Sequence, residues 1–132
     1  MTRAVVADTG PLYAANDKGD AHHQRALREL KALARERRDV LIPYPILLEA
    51  YSLLLFRLGR DAASDWLTEV ADAALVNPTP EDYRQALATI RALDDQPITL
   101  FDATVAALAA RLGLPVWTYD RHFELMRIKV WR

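Results

Sequence analysis

Residues 4–11 read Ala4-Val5-Val6-Ala7-Asp8-Thr9-Gly10-Pro11, a short apolar, partly β-branched run, then an acid, then a breaker. The run predicts a buried strand over Ala4 to Ala7, and Thr9-Gly10-Pro11 predicts the turn that ends it. A strand with no polar alternation has both faces covered, which is the habit of parallel sheets packed between helices. The rest of the chain is read for that alternation.

From Asp20, taken as an N-cap, Leu27, Leu30, Leu33 and Ala34 recur at helical spacing, with Arg28, Lys31, Arg35 and Arg38 on another face. Val40-Leu41-Ile42 reads as a second strand, and Pro43 and Pro45 introduce an apolar helix from about Ile46 to Leu58, closed near Gly59. A helix over Asp61 to Ala71, a weak strand at Ala74-Leu75-Val76 and a helix from Pro78-Thr79-Pro80-Glu81 to about Leu93 continue the pattern. Thr99 to Leu112 is an alanine-rich helix stopped by Gly113; Leu114-Pro115-Val116-Trp117-Thr118 is a strand, and Ile128-Lys129-Val130-Trp131 is expected as the last. The expectation is one α/β domain over residues 1–132, with a mainly parallel sheet of four to five strands between helical layers. In such sheets ligands bind at the carboxyl ends of strands, and Asp8 and Asp120 both follow strands.

Composition narrows the chemistry. With 132 residues, 52% of them hydrophobic, the chain can bury a core unaided. It has no cysteine, which excludes disulfides, thiol nucleophiles and cysteine-held zinc, so any metal must be bound by oxygen or imidazole. The formal net charge of -1 lacks the broad basic footprint of many nucleic-acid binders, so positive charge for such a ligand must be local or metal-borne. No apolar run reaches the roughly 18 residues of a membrane span, and Met1-Thr2-Arg3 leads too soon into Asp8 for a signal peptide. A cytoplasmic location without membrane attachment is the expectation.

Four acids stand out, each with a bland alternative. Asp8 at the end of the first strand is either a cation ligand or an Asx-turn or N-cap residue. Glu49 is the most informative: its neighbours at helical spacing are Pro45, Ile46, Ser52 and Leu53, which offer no ion pair, and an unpaired carboxylate on an apolar face is costly to bury. Asp102 stands three residues after Thr99, so it fits a capping box as well as a ligand. Asp120 fits the cap of the turn Arg121-His122-Phe123-Glu124. Together, from four segments, they could surround one hard divalent ion such as Mg²⁺ or Mn²⁺, because clustered carboxylates otherwise repel. Such a site suits phosphodiester hydrolysis.

In the stretches Val5 to Leu12, Ile42-Pro43-Tyr44-Pro45 leading to Glu49, Phe101-Asp102-Ala103 and Thr118-Tyr119-Asp120-Arg121-His122-Phe123, the chain resembles the PIN domain family, specifically VapC-type toxins of toxin-antitoxin systems. The resemblance spans nearly the whole chain. It implies an α/β/α sandwich, a Mg²⁺- or Mn²⁺-dependent endoribonuclease acting on RNA, inhibition by a VapB-like antitoxin, and homodimers. Asp8 and Asp102 match the family's principal metal-binding acids, and Glu49 and Asp120 the two that complete its acidic pocket. Thr9 and Thr118 match hydroxyl positions near the site and are read as partners that orient carboxylates.

Arg121, His122 and Arg127, near the acidic edge, are candidate RNA contacts; the stripe Arg28, Lys31, Arg35 and Arg38 reads first as a solvated face. His22 and His23 are expected on the surface, and Trp66, Trp117 and Trp131 in the core or an interface. A receiver domain would need an acid ending its middle strand, whereas Ala74-Leu75-Val76 runs into Asn77-Pro78. An aspartyl phosphatase would need an acid where Gly10 stands. A catalytically silent PIN-like module binding RNA or protein is the remaining alternative, and retention of all four acids argues against it.

Overall fold

The structure, a computed structural model, describes residues 3–132. Four parallel strands form one sheet in the order β3-β2-β1-β4: β1 is Ala4–Ala7, β2 Asp39–Pro43, β3 Ala74–Val76 and β4 Val116–Trp117. Val5 and Val6 point to opposite faces of β1, yet neither is exposed, so helices cover both sides of the sheet. The described residues form seven helices: α1 (Thr9–Asn16), α2 (His23–Arg35), α3 (Tyr44–Leu58), α4 (Arg60–Glu69), α5 (Pro80–Ala92), α6 (Leu100–Leu112) and α7 (His122–Leu125), of which α5 packs on α6 around Ala86, Ile98 and Ala103. The expected α/β architecture is what the chain adopts. No helix among the described residues is long and apolar enough to cross a membrane.

The core joins Val5 and Val6 to Leu33 of α2, Ile46 and Leu54 of α3, Val105 and Leu108 of α6, and the buried rings of Trp117, Phe123 and Trp131. Trp66 is buried as well. Helix α2 buries Ala26 and Leu33 and leaves Arg28, Lys31 and Arg35 exposed, whereas Leu30 and Ala34 of the expected stripe are exposed too.

Three local expectations are corrected. Thr9-Gly10-Pro11 does not end in a turn but opens α1, because a proline in the first helical turn gives up an N–H that has no intrahelical acceptor anyway. Asp20 does not cap α2. Its carboxylate accepts the His22 amide at 2.8 Å, closing a separate turn, and the helix starts at His23 with no side-chain cap. The expected last strand over Ile128 to Trp131 shrinks to one bridge, Val116 to Val130. Its partner β4 is only two residues long, and Arg127, in the left-handed region at φ 59°, redirects the chain just before it.

The helix N-termini are set by side chains. At α5 the Thr79 hydroxyl accepts the Asp82 amide at 3.1 Å while the Asp82 carboxylate accepts the Thr79 amide at 2.9 Å, a complete capping box. The same buried carboxylate receives Arg111 of α6 through two bonds of 2.9 Å, clamping α5 to α6. Hydrogen bonding from Arg111 holds the Asp82 carboxyl below its ordinary range.

Replacing Arg111→Met should therefore lower stability by about 2 kcal/mol in urea denaturation near neutral pH, since it leaves a buried carboxylate without its cation. A folded pKa below the unfolded one gives stability that is present above the unfolded value and lost as pH falls through the folded one. The difference between Arg111→Met and the parent should accordingly shrink in acid; a pH-independent difference would show that packing of the arginine stem carries the effect.

Candidate functional site

In the order β3-β2-β1-β4 the chain leaves β1 toward β2 on one side and reaches β4 on the other. The carboxyl ends of β1 and β4 thus border the crevice where parallel sheets bind ligands. Asp8 steps out of β1, and its amide donates to the Trp117 carbonyl at 3.0 Å, so Thr118, Tyr119 and Asp120 leave β4 beside it. Glu49 comes from α3 and Asp102 from the first turn of α6. All four acids line one cleft of about 910 Å³, together with Gln96 and His122.

Each carboxylate has a holder. Asp8 caps α1, one oxygen accepting the Thr9 amide at 2.8 Å and the other the Thr118 hydroxyl at 2.7 Å. The Thr9 hydroxyl donates to Glu49 Oε1, so one residue braces two acids. Asp120 accepts the His122 amide at 2.8 Å and so does act as the cap of the turn that follows it. Its own amide donates to the Thr118 hydroxyl at 3.0 Å.

Asp102 is the revealing case. Thr99 accepts its amide at 3.1 Å, as Thr79 does for Asp82, but no bond returns from the Thr99 amide to the Asp102 carboxylate. The sequence pattern of a capping box is present at both helices, yet only at α5 is the carboxylate used for capping. At α6 it is left for the cleft.

No Lys or Arg forms an ion pair with any of the four acids among the described residues; the one near partner is His122, whose Nδ1 lies 3.2 Å from Asp120 Oδ1 without hydrogen-bond alignment. The negative charge is correspondingly strained. Burial pushes the Asp8 carboxyl up to about 6, against the opposing bonds from Thr118 and Thr9, with the charges of Asp120 and Glu49 adding to the rise. Burial also pushes Asp102 up to about 8, helped by its hydrogen bond with Asp120 and the charge of Asp8. Asp120 resists its own burial because bonds from Asp102 and the His122 amide hold it below the ordinary range. Two acids this closely coupled do not ionise independently, so Asp102 and Asp120 titrate as a pair.

This donor set fits a hard divalent cation: oxygen ligands, an imidazole and excess negative charge. Ligand atoms of Asp102, Asp120 and His122 lie within 4.8 Å of one another. Asp8 and Glu49 border the same cleft but stand outside that tight group. Sequence reasoning gave His122 only a substrate contact, and nothing in its local pattern marks the short distance to Asp102. It missed Gln96 and Glu124, which line the cleft from the loop before α6 and from the short helix α7 without a motif. Arg121 also lines it, whereas Arg127 does not. His22 and His23 do not line the cleft: the His22 ring packs 4.9 Å from that of Tyr119, and His23 bonds the Ala14 carbonyl at 2.7 Å.

Comparison with known proteins gives a family-model match over residues 5–129, described as PIN domain. Comparison with curated proteins gives no match. Among solved structures, the chain is similar to Mycobacterium tuberculosis VapC20, a toxin that cleaves the sarcin-ricin loop, with a TM-score of 0.84 and 23% identity over 98% of this chain and 99% of that one. It is similar to VapBC2 from Rickettsia felis bound to a DNA fragment from its promoter (TM-score 0.76, 14% identity, 98% and 97% covered). It is also similar to FitAcB from Neisseria gonorrhoeae (TM-score 0.71, 19% identity, 97% and 96% covered). At these identities the likeness establishes a shared fold.

Raised carboxyl pKa values make the metal-free protein favour protons. Such groups contribute stability that is complete below the unfolded value near 3.8 and lost as pH rises through about 6 for Asp8 and about 8 for Asp102. In EDTA the melting temperature should fall between about pH 5 and pH 9, and Asp102→Asn should flatten that fall and melt higher than the parent at the alkaline end. A variant that melts lower there would overturn the assignment of strain to Asp102.

Proposed function

Because this chain belongs to the PIN domain family, we propose that it is a divalent-metal-dependent endoribonuclease, the toxin of a VapBC-type toxin-antitoxin pair. The observation that carries the reading is the convergence of Asp8, Glu49, Asp102 and Asp120, from four separate segments, on one cleft with no Lys or Arg among the described residues paired to any of them. Capping accounts for Asp8 and Asp120 one at a time but not for four acids on one cleft, an arrangement that raises two pKa values at a cost to stability.

Asp8, Asp102 and Asp120 would hold the Mg²⁺ or Mn²⁺, with Glu49 completing the acidic pocket and His122 beside it. When bound, the cation acidifies a water and offsets charge on a scissile phosphodiester. The protein's own work is positional. Thr118 and the Thr9 amide fix both oxygens of Asp8, and the Thr9 hydroxyl fixes Glu49, so the carboxylates need no reorganisation as a ligand enters. Asp102, which burial holds toward its protonated form, would have to give up its proton when the cation binds. Arg121 and His122, at the rim of the cleft, are positioned to meet RNA.

The similarity in fold to a toxin that cleaves the sarcin-ricin loop supports ribonuclease chemistry, and the similarity to VapBC2 supports a VapB-like antitoxin as partner. Exposed apolar side chains also favour partners: Phe56 of α3 is 86% exposed and Leu48 66%, while Tyr83 and Leu87 of α5 and Leu100 and Phe101 of α6 are exposed as well. Two such areas suit an antitoxin and a second copy of the chain, the homodimer.

Purified protein should cleave structured RNA in Mg²⁺ or Mn²⁺ and be silent in EDTA, and Asp8→Asn should lose at least about a hundredfold in rate. Thr118→Val should lose about ten- to a hundredfold, recovered in part by higher metal concentration, with Thr118→Ser near the parent. Cleavage that survives EDTA would sink the metal mechanism.

A further inference from the structure

Beside the acidic cleft lies a second recess of about 330 Å³, and the two share Tyr119, Asp120 and Arg121 as a common wall. The rest of its lining is Arg25, Thr118, Val130 and Arg132. Three guanidinium groups thus gather at one recess in a chain whose formal net charge is -1. This is the local positive charge that the composition demanded, and it lies on α2, on the loop after β4 and on the segment after α7, not on the outer stripe of α2.

Arg25 is held in advance. Its guanidinium carbon lies 4.2 Å from the centre of the Tyr119 ring, and its Nε faces Glu29 Oε2 at 3.4 Å. Glu29 is itself fixed, its Oε1 accepting the Tyr119 hydroxyl at 2.5 Å and the indole N–H of Trp117 at 3.1 Å. The terminal nitrogens of Arg25 make no hydrogen bond among the described residues. Arg121 is exposed and makes neither a side-chain hydrogen bond nor an ion pair among them. Arg132 bonds Glu124 at 2.8 Å, and both are exposed. The recess includes one acid, Asp120, whose Oδ1 accepts the His122 amide at 2.8 Å.

We propose that this recess is a subsite for a backbone phosphate of the RNA strand, flanking the bond presented to the acidic cleft, with Arg25 and Arg121 as its cations. The inference rests on the nuclease reading and adds where the strand runs. Planar guanidinium forks match phosphate oxygens in pairs, and a stacked arginine loses little freedom on binding. Two adjoining pockets of opposite sign solve the problem posed by an acidic site for an anionic substrate. One holds the cation and the scissile group, and the other draws in the neighbouring phosphate. Arg28, exposed on the outer face of α2 and lining neither pocket, is the natural control.

The test is the salt dependence of binding and cleavage, using a short single-stranded RNA labelled at its 5′ end. Anisotropy in EDTA gives Kd, and cleavage in Mg²⁺ gives kcat and KM. Arg121→Gln, which has no contact to lose, and Arg25→Gln should each weaken binding and raise KM several-fold with kcat largely kept. Each should also reduce the slope of log affinity against log salt by about 0.7, the loss of one single-strand phosphate contact. Arg28→Gln should leave slope and KM unchanged. If the parent cleaves the RNA but both variants keep its slope and KM, the subsite is wrong and the nuclease reading stands. If slopes fall as stated in a parent that never cleaves, the subsite stands and the nuclease reading fails.

Discussion

The pairing of β1 with β4 joins segments 110 residues apart, and almost everything at the site depends on it. Its last rung, from the Asp8 amide to the Trp117 carbonyl, puts the two chain exits side by side. Thr118 then reaches Asp8 with its hydroxyl and receives the Asp120 amide on the same oxygen, so one threonine sets the position of two acids. Because β4 is only two residues long, the backbone is free to turn immediately afterwards and carry Tyr119, Asp120 and Arg121 across the sheet edge. The same shortness prevents a regular fifth strand from growing on its outer side.

A second constraint is electrostatic. Burial of Asp8 and Asp102 without basic partners works against the stability of the metal-free fold. The contrast with Asp82 shows that the fold has the means to satisfy a buried acid when stability is the only demand: a complete capping box and two bonds from Arg111. At Asp102, one helix later, half of the capping box is missing and no arginine arrives. Identical Thr-x-x-Asp spacings therefore serve opposite ends, one clamping two helices and the other exposing charge to a cleft.

Charge is also organised over a longer range. The acids and the guanidinium groups meet along the Tyr119 to Arg121 segment, with Glu29 tying Arg25, Trp117 and Tyr119 into one network. Trp117 belongs to the core, so the basic recess is anchored to the sheet through an indole N–H that would otherwise need another partner. Nothing in the spacing of residues 25, 29, 117 and 119 announces this, since it joins a helix face to a strand end across most of the chain.

The strand at residues 4–7, the alternation of strands and helices, and the existence of the alanine-rich helix α6 were all legible in the amino-acid order, because periodicity and breakers act locally. Glu49 was legible as an acid without a local partner. For Asp8 and Asp120 the order of residues left capping and cleft placement both open, and they do both, whereas Asp102 taken alone read rather as a cap. The start of α1 at a Thr-Gly-Pro sequence and the failure of Asp20 to cap were misread, since each turns on which of two local hydrogen-bond patterns wins. Only the tertiary structure decided that His122 joins Asp102 and Asp120, that Asp8 is the acid Thr118 bonds, and that Arg25 rather than Arg127 stands beside the site. Those relations are distances across the fold, and a linear pattern carries none of them until the sheet order brings the segments together.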